Sequence, residues 1–505
     1  MKRITALLIA VAMMLGSVGV AQADGIDIKV KGQWDFAFGW ASNMGFKDSN
    51  TARTRRIDDF EARHRVRTQI NFITSEYLQA VLMFEIGDLD WGRNRQGGSN
   101  YNSGARASRS TGGALDADGV NVETKRAYLD WVIPNTEVAV RMGIQGLALP
   151  STPMGSPVFN ADVAGILVSS PITDWLSAAA FWIRPFDAYN NGDNMDYSDE
   201  VDAFGVLLPV SFDGIKFTPW FIYGFVGANS GIYDYLFDVR NTHDNSVTAR
   251  NSSTQVYWIG AHLELSLLDP LVFNIEGIYG HLSQADLSGF AGAVEKGWGA
   301  ATRFGTSGWF IGATLDYKLD FMTPGIFGWY ASGDDANSDD SGKLGRMPVL
   351  GNDGGSFGPT SFGSAGYYGI TQNSNSGTIM GTGTGTWGIG LQLANISFIQ
   401  DLSHTVRLAY YRGTNDADLI KKDGVVSGLG GLMYSADRFY LTDEDYVWEV
   451  NFDHKYKIYE NLTAVLELGW LRMHTDEDTW GKRGNGDNKE NDNAWKAQIA
   501  FRYTF

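Results

Sequence analysis

Arginine is the residue type whose spacing in this chain most directly suggests chemistry. Arg63, Arg65 and Arg67 occupy alternate positions, and Arg126 and Arg141 fall in the matching phase of two later segments. If these segments are β-strands, this spacing puts the guanidinium groups on one face of the sheet. A row of fixed cations along a narrow passage raises the local concentration of anions and orients a passing solute.

Other charged residues share the face of these arginines. We predict that all of them line a passage and set its selectivity, and the additional members are Lys29, Lys31, Glu85, Asp130 and Glu137. An alternative is that the arginines pair with Glu85, Asp130 and Glu137, in which case they would hydrate the wall without selecting a solute.

One connecting segment differs from the rest in its composition. Residues 147–164 contain three prolines and little charge, and proline stiffens a loop because its ring fixes φ. We predict that the part from Pro150 to Asp162, including Pro153 and Pro157, forms a constriction with Asp162 facing the arginines. The alternative is an external loop that packs against a neighbouring subunit.

The elements that must position these residues are β-strands. Apolar and polar residues alternate along many segments, and the final strand shows this most clearly. There Trp495, Ile499, Phe501, Tyr503 and Phe505 share one phase, while most of the intervening positions are polar. One face of such a strand suits lipid and the other suits water. Aromatic residues recur at the ends of the apolar faces, as expected for girdles at two membrane interfaces.

The connections between strands alternate in length. Short turns are predicted near Thr74-Ser75, Pro134-Asn135, Ser170-Pro171, Asp213-Gly214, Asp269-Pro270, Asp320-Phe321, Gln400-Asp401 and Glu460-Asn461. Between them lie nine longer, polar stretches, so we predict an all-β transmembrane antiparallel barrel of about 18 strands, with both termini periplasmic. Sixteen strands is the alternative, because segments 164–174 and 382–400 alternate weakly.

The amino terminus and the composition agree with an exported barrel. Residues 1–23 have the charged start, apolar run and small residues of a signal peptide, which leaves 24–505 as a single barrel domain. The chain has no cysteines, so stability cannot come from disulfides. Its net charge of −18 argues against a nucleic-acid partner.

Neither catalysis nor a cofactor is predicted. The seven histidines are scattered, and no nucleophile, base and orienting group come together in the sequence, so we do not expect an enzyme. Asp334-Asp335 and Asp339-Asp340 offer oxygen atoms to Ca²⁺, but they lack the twelve-residue spacing of a calcium loop. We interpret them as solvated acidic loops, and the sequence leaves any metal site undetermined.

Several stretches of the first third of the chain resemble the homotrimeric outer-membrane porins of Desulfovibrio-like sulfate reducers. They are Lys29 to Trp34, Phe60 to Ile70, Phe84 to Arg93, Gly112 to Val122, Met142 to Pro150 and Trp182 to Phe186. The resemblance implies a trimeric, water-filled diffusion channel. It also implies that Arg63, Arg65, Arg67 and residues 147–162 form the narrow part of the pore.

The leading hypothesis is therefore a bacterial outer-membrane porin for passive diffusion of small hydrophilic solutes. The arginines favour anions such as sulfate or small organic acids. Its expected partners are two further copies of the chain, outer-membrane lipid and lipopolysaccharide. The alternative is a substrate-specific channel for a sugar or a carboxylate, in which lumenal aromatic residues such as Tyr128 and Trp182 form a stacking track.

Overall fold

The computed structural model describes residues 25–42, 59–91, 122–187, 200–228, 230, 236, 253–286, 303–350, 357–362, 383–421, 441–476, 478–479 and 493–505. The predicted signal peptide, 1–23, and parts of most of the long loops lie outside the described residues. Within the described part, no helix is both long enough and apolar enough to cross a membrane.

The described chain is almost entirely β-structure. The strands, numbered here by their place in the barrel, are β1 Asp27–Ser42, β2 Asp59–Ser75, β3 Leu78–Asp90, β4 Val122–Val132, β5 Ala139–Ala148, β6 Asn160–Thr173, β7 Leu176–Asp187, β8 Glu200–Leu207 with Val210–Phe212, β9 Ile215–Val226, β10 Thr254–Leu265, β11 Leu271–Asp286, β12 Arg303–Tyr317, β13 Thr323–Ala331, β14 Thr386–Ile399, β15 Leu402–Gly413, β16 Tyr446–Tyr459, β17 Leu462–His474 and β18 Asn493–Thr504. Within the described ranges, the short helices α1 (Ser338–Ser341) and α2 (Asp418–Lys421) lie in long connections.

These strands form one closed antiparallel barrel of 18 strands, as predicted. The two parts of β8 share the same neighbours, β7 and β9, and are one strand interrupted at Leu208 and Pro209. A separate two-residue strand, Lys343–Leu344, pairs in parallel with β12 and is not one of the strands of the barrel. Segments 164–174 and 382–400 do contain strands, so the alternative of a sixteen-stranded barrel is excluded.

The final strand closes the barrel against the first. In the register of β1 with β18, Trp34 lies opposite Tyr503 and Asp35 lies opposite Arg502. The ladder continues to the last residue, since Gly32 and Phe505 exchange backbone hydrogen bonds of 2.9 and 3.1 Å. The alternating pattern at the carboxyl terminus therefore belongs to the seam of the barrel.

Most of the short turns lie where the sequence predicts them, and two are displaced. Ser170 and Pro171 lie inside β6, and the turn follows at Asp174 and Trp175. Thr74 and Ser75 end β2, and the turn is Glu76 and Tyr77. Pro171 is tolerated near a strand end, where the β6–β7 register also shifts.

The outward face of the barrel is apolar. Ile28, Trp34, Phe221 and Ile389 have exposed fractions of 56, 45, 43 and 50% respectively. The inward neighbours of such residues are often buried and polar, as at Asp35 on β1 and Asn451 on β16. This division is the one expected of a barrel whose exterior meets lipid.

The interior holds a packed apolar cluster as well as polar groups, which the sequence did not predict for a barrel of this width. Phe310, Trp329 and Tyr411 point inward and pack with Leu350 and Phe357 from a long connection. Glycines on neighbouring strands make room for the inward aromatic rings. A Cβ on Gly388 would lie 2.3 Å from the Trp329 ring.

Candidate functional site

The inward wall around the barrel seam holds a buried carboxylate between two arginines. Asp35 on β1 is fully buried and accepts hydrogen bonds from Arg502 Nε at 2.5 Å and Arg502 Nη2 at 3.0 Å. Arg65 Nη2 on β2 lies 3.6 Å from the same carboxylate. Asp35 therefore links three adjacent strands, and Arg65, predicted to line the pore, is almost completely buried.

The other predicted arginines of this wall are also paired with carboxylates. Arg67 Nε lies 2.5 Å from Glu85 on β3, and Arg63 Nη2 lies 3.4 Å from Glu61. These side chains retain 22% and 12% exposure, so they face the lumen while compensated by acid. Ion pairing of this kind orients a guanidinium group and weakens the electrostatic field that it produces in the lumen of the barrel.

Arg141 and Asp130 form a second inward pair. Arg141 Nε and Nη2 donate to the two oxygen atoms of Asp130 at 2.6 and 2.8 Å, which is the bidentate geometry of a strong ion pair. The guanidinium also lies 4.5 Å from the centre of the Tyr128 ring. Tyr128, proposed from the sequence as part of a stacking track, is thus already covered by Arg141.

Asp162 is bound by Arg126 and Lys125, and Lys125 Nζ also lies 3.5 Å from Glu85 Oε2, in the carboxylate that pairs with Arg67. Asp162 Oδ1 lies 2.7 Å from Arg126 Nε, and Oδ2 lies 3.0 Å from Lys125 Nζ. Asp162 is in strand β6 rather than in the preceding loop, and it shares the phase of Ala164 and Ile166, which are exposed on the outside. The pair lies beyond the last β4–β5 pairing, Ala127 with Ile144, where those two strands separate.

Four other residues that the sequence analysis placed in the lumen, Glu137, Lys29, Lys31 and Trp182, do not lie among these lumenal ion pairs. Glu137 lies in the exposed turn before β5, so it is not on a strand. Lys29 and Lys31 are exposed at the start of β1, where Lys29 Nζ is 3.7 Å from Asp27. Trp182 on β7 lies opposite the exposed Ile166 and faces outward with Asp202, so it is not a lumenal residue. A one-residue change of phase moves a side chain to the other face of a sheet.

The third long connection, residues 149–159, is buried along most of its length. Leu149, Met154 and Val158 belong to the interior apolar cluster. Thr152 donates to the inward carboxylate of Glu276 on β11, from its hydroxyl at 3.0 Å and its backbone N–H at 3.3 Å. The prolines at 150, 153 and 157 belong to this segment, which places its tip against strands far from its own ends.

The seventh long connection, between β13 and β14, supplies a second interior segment that the sequence did not indicate. Leu350 N–H donates to Val158 O, and Gly358 N–H donates to Met154 O, so this connection contacts the third. Further on, Thr360 Oγ1 and Phe362 N–H donate to the two oxygen atoms of Glu449 on β16, both at 2.8 Å.

Charged side chains converge beside this second segment, on β15 to β18. Arg407 Nη1 lies 2.6 Å from Asp453 Oδ2, and Lys496 donates to Ser361 O. Asp453 and Glu467 lie directly opposite each other in the β16–β17 register and are 2% and 3% exposed. With Glu449, this group has three carboxylates and two cations.

A cavity of about 280 Å³ opens onto these charges. Its lining comprises Pro153, Met154, Thr314, Phe327, Gly358, Pro359, Thr360, Ser361, Gln392, Arg407, Asp453 and Glu467. The third and seventh connections and six barrel strands, β12 to β17, therefore meet around one space. The alternating pattern already put Glu449, Asp453 and Glu467 on the inward face, but nothing local in the sequence pairs them with residues 358–361.

The acidic connections do not form a metal site in the part of the chain that is described. Asp334 is buried, and its carboxylate accepts from Arg346 Nε at 3.0 Å and from the backbone N–H of Gly345 and Arg346. Across the described ranges, no three His, Asp or Glu side chains converge as metal ligands. Asp334 therefore serves to fix the connection that follows β13.

Comparison with known proteins gives structural similarity alone. No family model and no curated protein matches the chain. Among solved structures, Pseudomonas aeruginosa OpdL matches with a TM-score of 0.49 and 13% identity, over 95% of this chain and 99% of that one. OccK11 (OpdR) of the same organism matches with a TM-score of 0.48 and 11% identity, over 94% and 96%.

A third similar structure is that of Pseudomonas aeruginosa OpdK with vanillate. Its TM-score is 0.48 and its identity 11%, over 95% of this chain and 100% of that one. The barrel architecture of the present chain follows from its own strand pairing.

Proposed function

We propose that this chain forms a channel in the bacterial outer membrane through which small hydrophilic solutes diffuse passively. The observation that carries the proposal is the closed barrel of 18 strands with an apolar exterior and a charged interior. A barrel of this width is large enough to enclose an aqueous passage. An even number of strands puts both termini on the side of the short turns, which is the periplasmic side in this class.

The third and seventh connections narrow this passage. Residues 149–159 and 357–362 contact inward side chains of β11 and β16, through Thr152 with Glu276 and Thr360 with Glu449. Solutes therefore pass between these segments and the wall of β1 to β5. Reconstitution of the full chain into planar bilayers should give discrete single-channel currents, whereas a protein that inserts without conducting would refute the channel function.

A preference for anions is the finer part of the proposal. The ion pairs of four carboxylates in the wall formed by β1 to β5 and β18 involve six cations: Arg63, Arg65, Arg67, Lys125, Arg141 and Arg502 with Asp35, Glu61, Glu85 and Asp130. This small cationic excess acts in a confined space, where fixed charge selects counter-ions. Sulfate and small organic acids are the anions that we expect to permeate more readily than cations of similar size.

Reversal potentials across a salt gradient test this preference. Arg63, Arg65 and Arg67 changed together to Ala should shift the reversal potential toward cations and raise the conductance, because three bulky cations leave the wall. Lys216→Ala is the matched control, since this lysine pairs with Glu264 at 2.9 Å on β9 and β10, away from the wall. A clear cation preference in the unmodified chain would contradict the proposal.

Selectivity for a particular sugar or carboxylate is the second candidate. The observation in its favour is the cavity at the meeting of the two interior connections, which offers polar and apolar surface together. A specific channel shows current that is blocked by its solute in a saturable manner. A conductance that is unaffected by a panel of sugars and carboxylates would leave general diffusion as the function.

The proposed assembly is a homotrimer in contact with outer-membrane lipid and lipopolysaccharide. Its support is the sequence resemblance of the first third of the chain and the exposed apolar belt, of which Phe204 and Phe225 are examples at 47 and 51% exposure. Native mass spectrometry of the detergent-solubilised chain distinguishes trimers from monomers.

A further inference from the structure

The cavity beside β15 to β18 presents hydrogen-bond acceptors that the described protein groups leave unused. Asp453 is 2% exposed and its Oδ2 binds Arg407, but its Oδ1 has no hydrogen-bond partner among the described residues. The same holds for Ser361 Oγ, in a residue that is also 2% exposed. Both residues line the cavity. Polar atoms buried in this way are normally satisfied by a partner.

Several donors around the cavity already have partners. Thr360 Oγ1 donates to Glu449, and Gln392 Nε2 donates to Asp316 at 2.8 Å. Arg407 Nη1 donates to Asp453 Oδ2. The carboxylate of Asp453 can only accept, so an occupant that binds Asp453 Oδ1 must bring a donor of its own.

The charge of the groups around the cavity favours a positively charged donor over a neutral one. Asp453 and Glu467 face each other across the β16–β17 ladder, and like charges in this position repel. The surrounding group of Glu449, Asp453, Glu467, Arg407 and Lys496 carries one more carboxylate than cations. One additional positive charge would balance it, and burial makes an unbalanced charge costly.

Part of the cavity surface is apolar. Pro153 and Met154 of the third connection and Phe327 of β13 belong to its lining, beside polar residues such as Thr314 and Gln392. The space of about 280 Å³ is suited to a small organic molecule rather than to a bare ion. In the described ranges, no set of three metal-ligating side chains is available here.

We propose that this cavity binds a small solute with a primary ammonium group and a short apolar body. The ammonium donates to Asp453 Oδ1 and Ser361 Oγ, and the body lies against Met154 and Phe327. This inference deepens the proposed function, since the occupant is a solute that enters the lumen. It is separate from the anion preference, which concerns the wall of β1 to β5.

Equilibrium binding to the full chain in detergent tests the site without requiring conduction. Butylamine and butanol differ in one terminal group, and saturation-transfer magnetic resonance compares their binding. Butylamine should bind roughly 10-fold or more tightly than butanol, as expected of hydrogen bonds to a charged group. Equal binding of the two probes would overturn the proposal, while the channel function would still be judged by its currents.

Substitutions locate the binding. Asp453→Asn and Glu467→Gln should each remove most of the preference for butylamine, and Ser361→Ala should weaken it by a smaller factor. Asp202→Asn is the matched control, because Asp202 also binds an arginine, Arg184 Nε at 2.9 Å, but outside the cavity. Circular dichroism confirms that each variant retains the barrel. A preference that survives both acidic substitutions would place the ammonium elsewhere and refute the site.

Discussion

Replacing Glu449 by glutamine should release the interior part of the seventh connection. The carboxylate of Glu449 accepts two hydrogen bonds from this connection, from Thr360 Oγ1 and Phe362 N–H, both at 2.8 Å. It also accepts from Asn451 Nδ2 at 2.8 Å and Tyr411 Oη at 3.3 Å, both on the wall. Glutamine has a similar shape, but it removes the charge, and its amide NH2 group cannot accept at one of the two oxygen positions.

The size of the effect follows from the two bonds to the connection. A hydrogen bond to a charged group contributes about 1 kcal/mol more than a neutral one, so the loss of charge at the two bonds alone costs about 2 kcal/mol, which is the least that is expected. This corresponds to roughly a 30-fold larger population of the released segment. Glu449→Ala should have a larger effect, since both acceptors disappear.

Thiol labelling measures that population. The chain has no cysteines, so Ser361→Cys introduces a unique thiol at a position that is 2% exposed. Its reaction with a water-soluble maleimide should be roughly 30-fold faster when Glu449→Gln is also present. Glu264→Gln is the control, because Glu264 pairs with Lys216 far from this connection and should leave the rate unchanged. An unchanged labelling rate with Glu449→Gln would show that the apolar contacts alone hold the segment, and would refute this reasoning.

Two further substitutions test the seam and the third connection. Asp35→Ala leaves Arg65 and Arg502 without their shared carboxylate and should reduce the free energy of unfolding by about 3–5 kcal/mol in urea titrations, whereas Asp27→Ala, in an exposed pair, should have almost no effect. A small change for Asp35→Ala would mean that backbone pairing closes the seam unaided. Thr152→Val removes the hydroxyl that donates to Glu276, so maleimide labelling of Met154→Cys should become roughly 10-fold faster. An unaltered rate would assign the position of this connection to its apolar packing.

The interior of the barrel combines two kinds of surface. The wall of β1 to β5 carries arginines compensated by acid, and the wall of β15 to β18 carries an acidic excess covered by Thr360 and Ser361. The two kinds of wall meet at the seam, where β18 pairs with β1. Neighbouring parts of the lumenal wall therefore have opposite charge asymmetries.

The amino-acid sequence by itself determined the architecture. Alternation of apolar and polar residues is a local property of each strand, so it predicted the outward face of most strands, and the alternation of turn lengths predicted about 18 strands, with sixteen as the alternative. The phase of Arg63, Arg67 and Arg141 could be predicted in the same way, because it requires no knowledge of distant strands.

Only the tertiary structure decided which charges meet. Arg502 and Asp35 are separated by 467 residues, and their contact exists because the last strand closes on the first. Asp162 and Trp182 show the limit of local patterns, since their place in the strand phase depends on where β6 and β7 begin and pair. The course of the seventh connection depends on hydrogen bonds to Glu449, 87 residues beyond Phe362, and no local periodicity encodes such a contact.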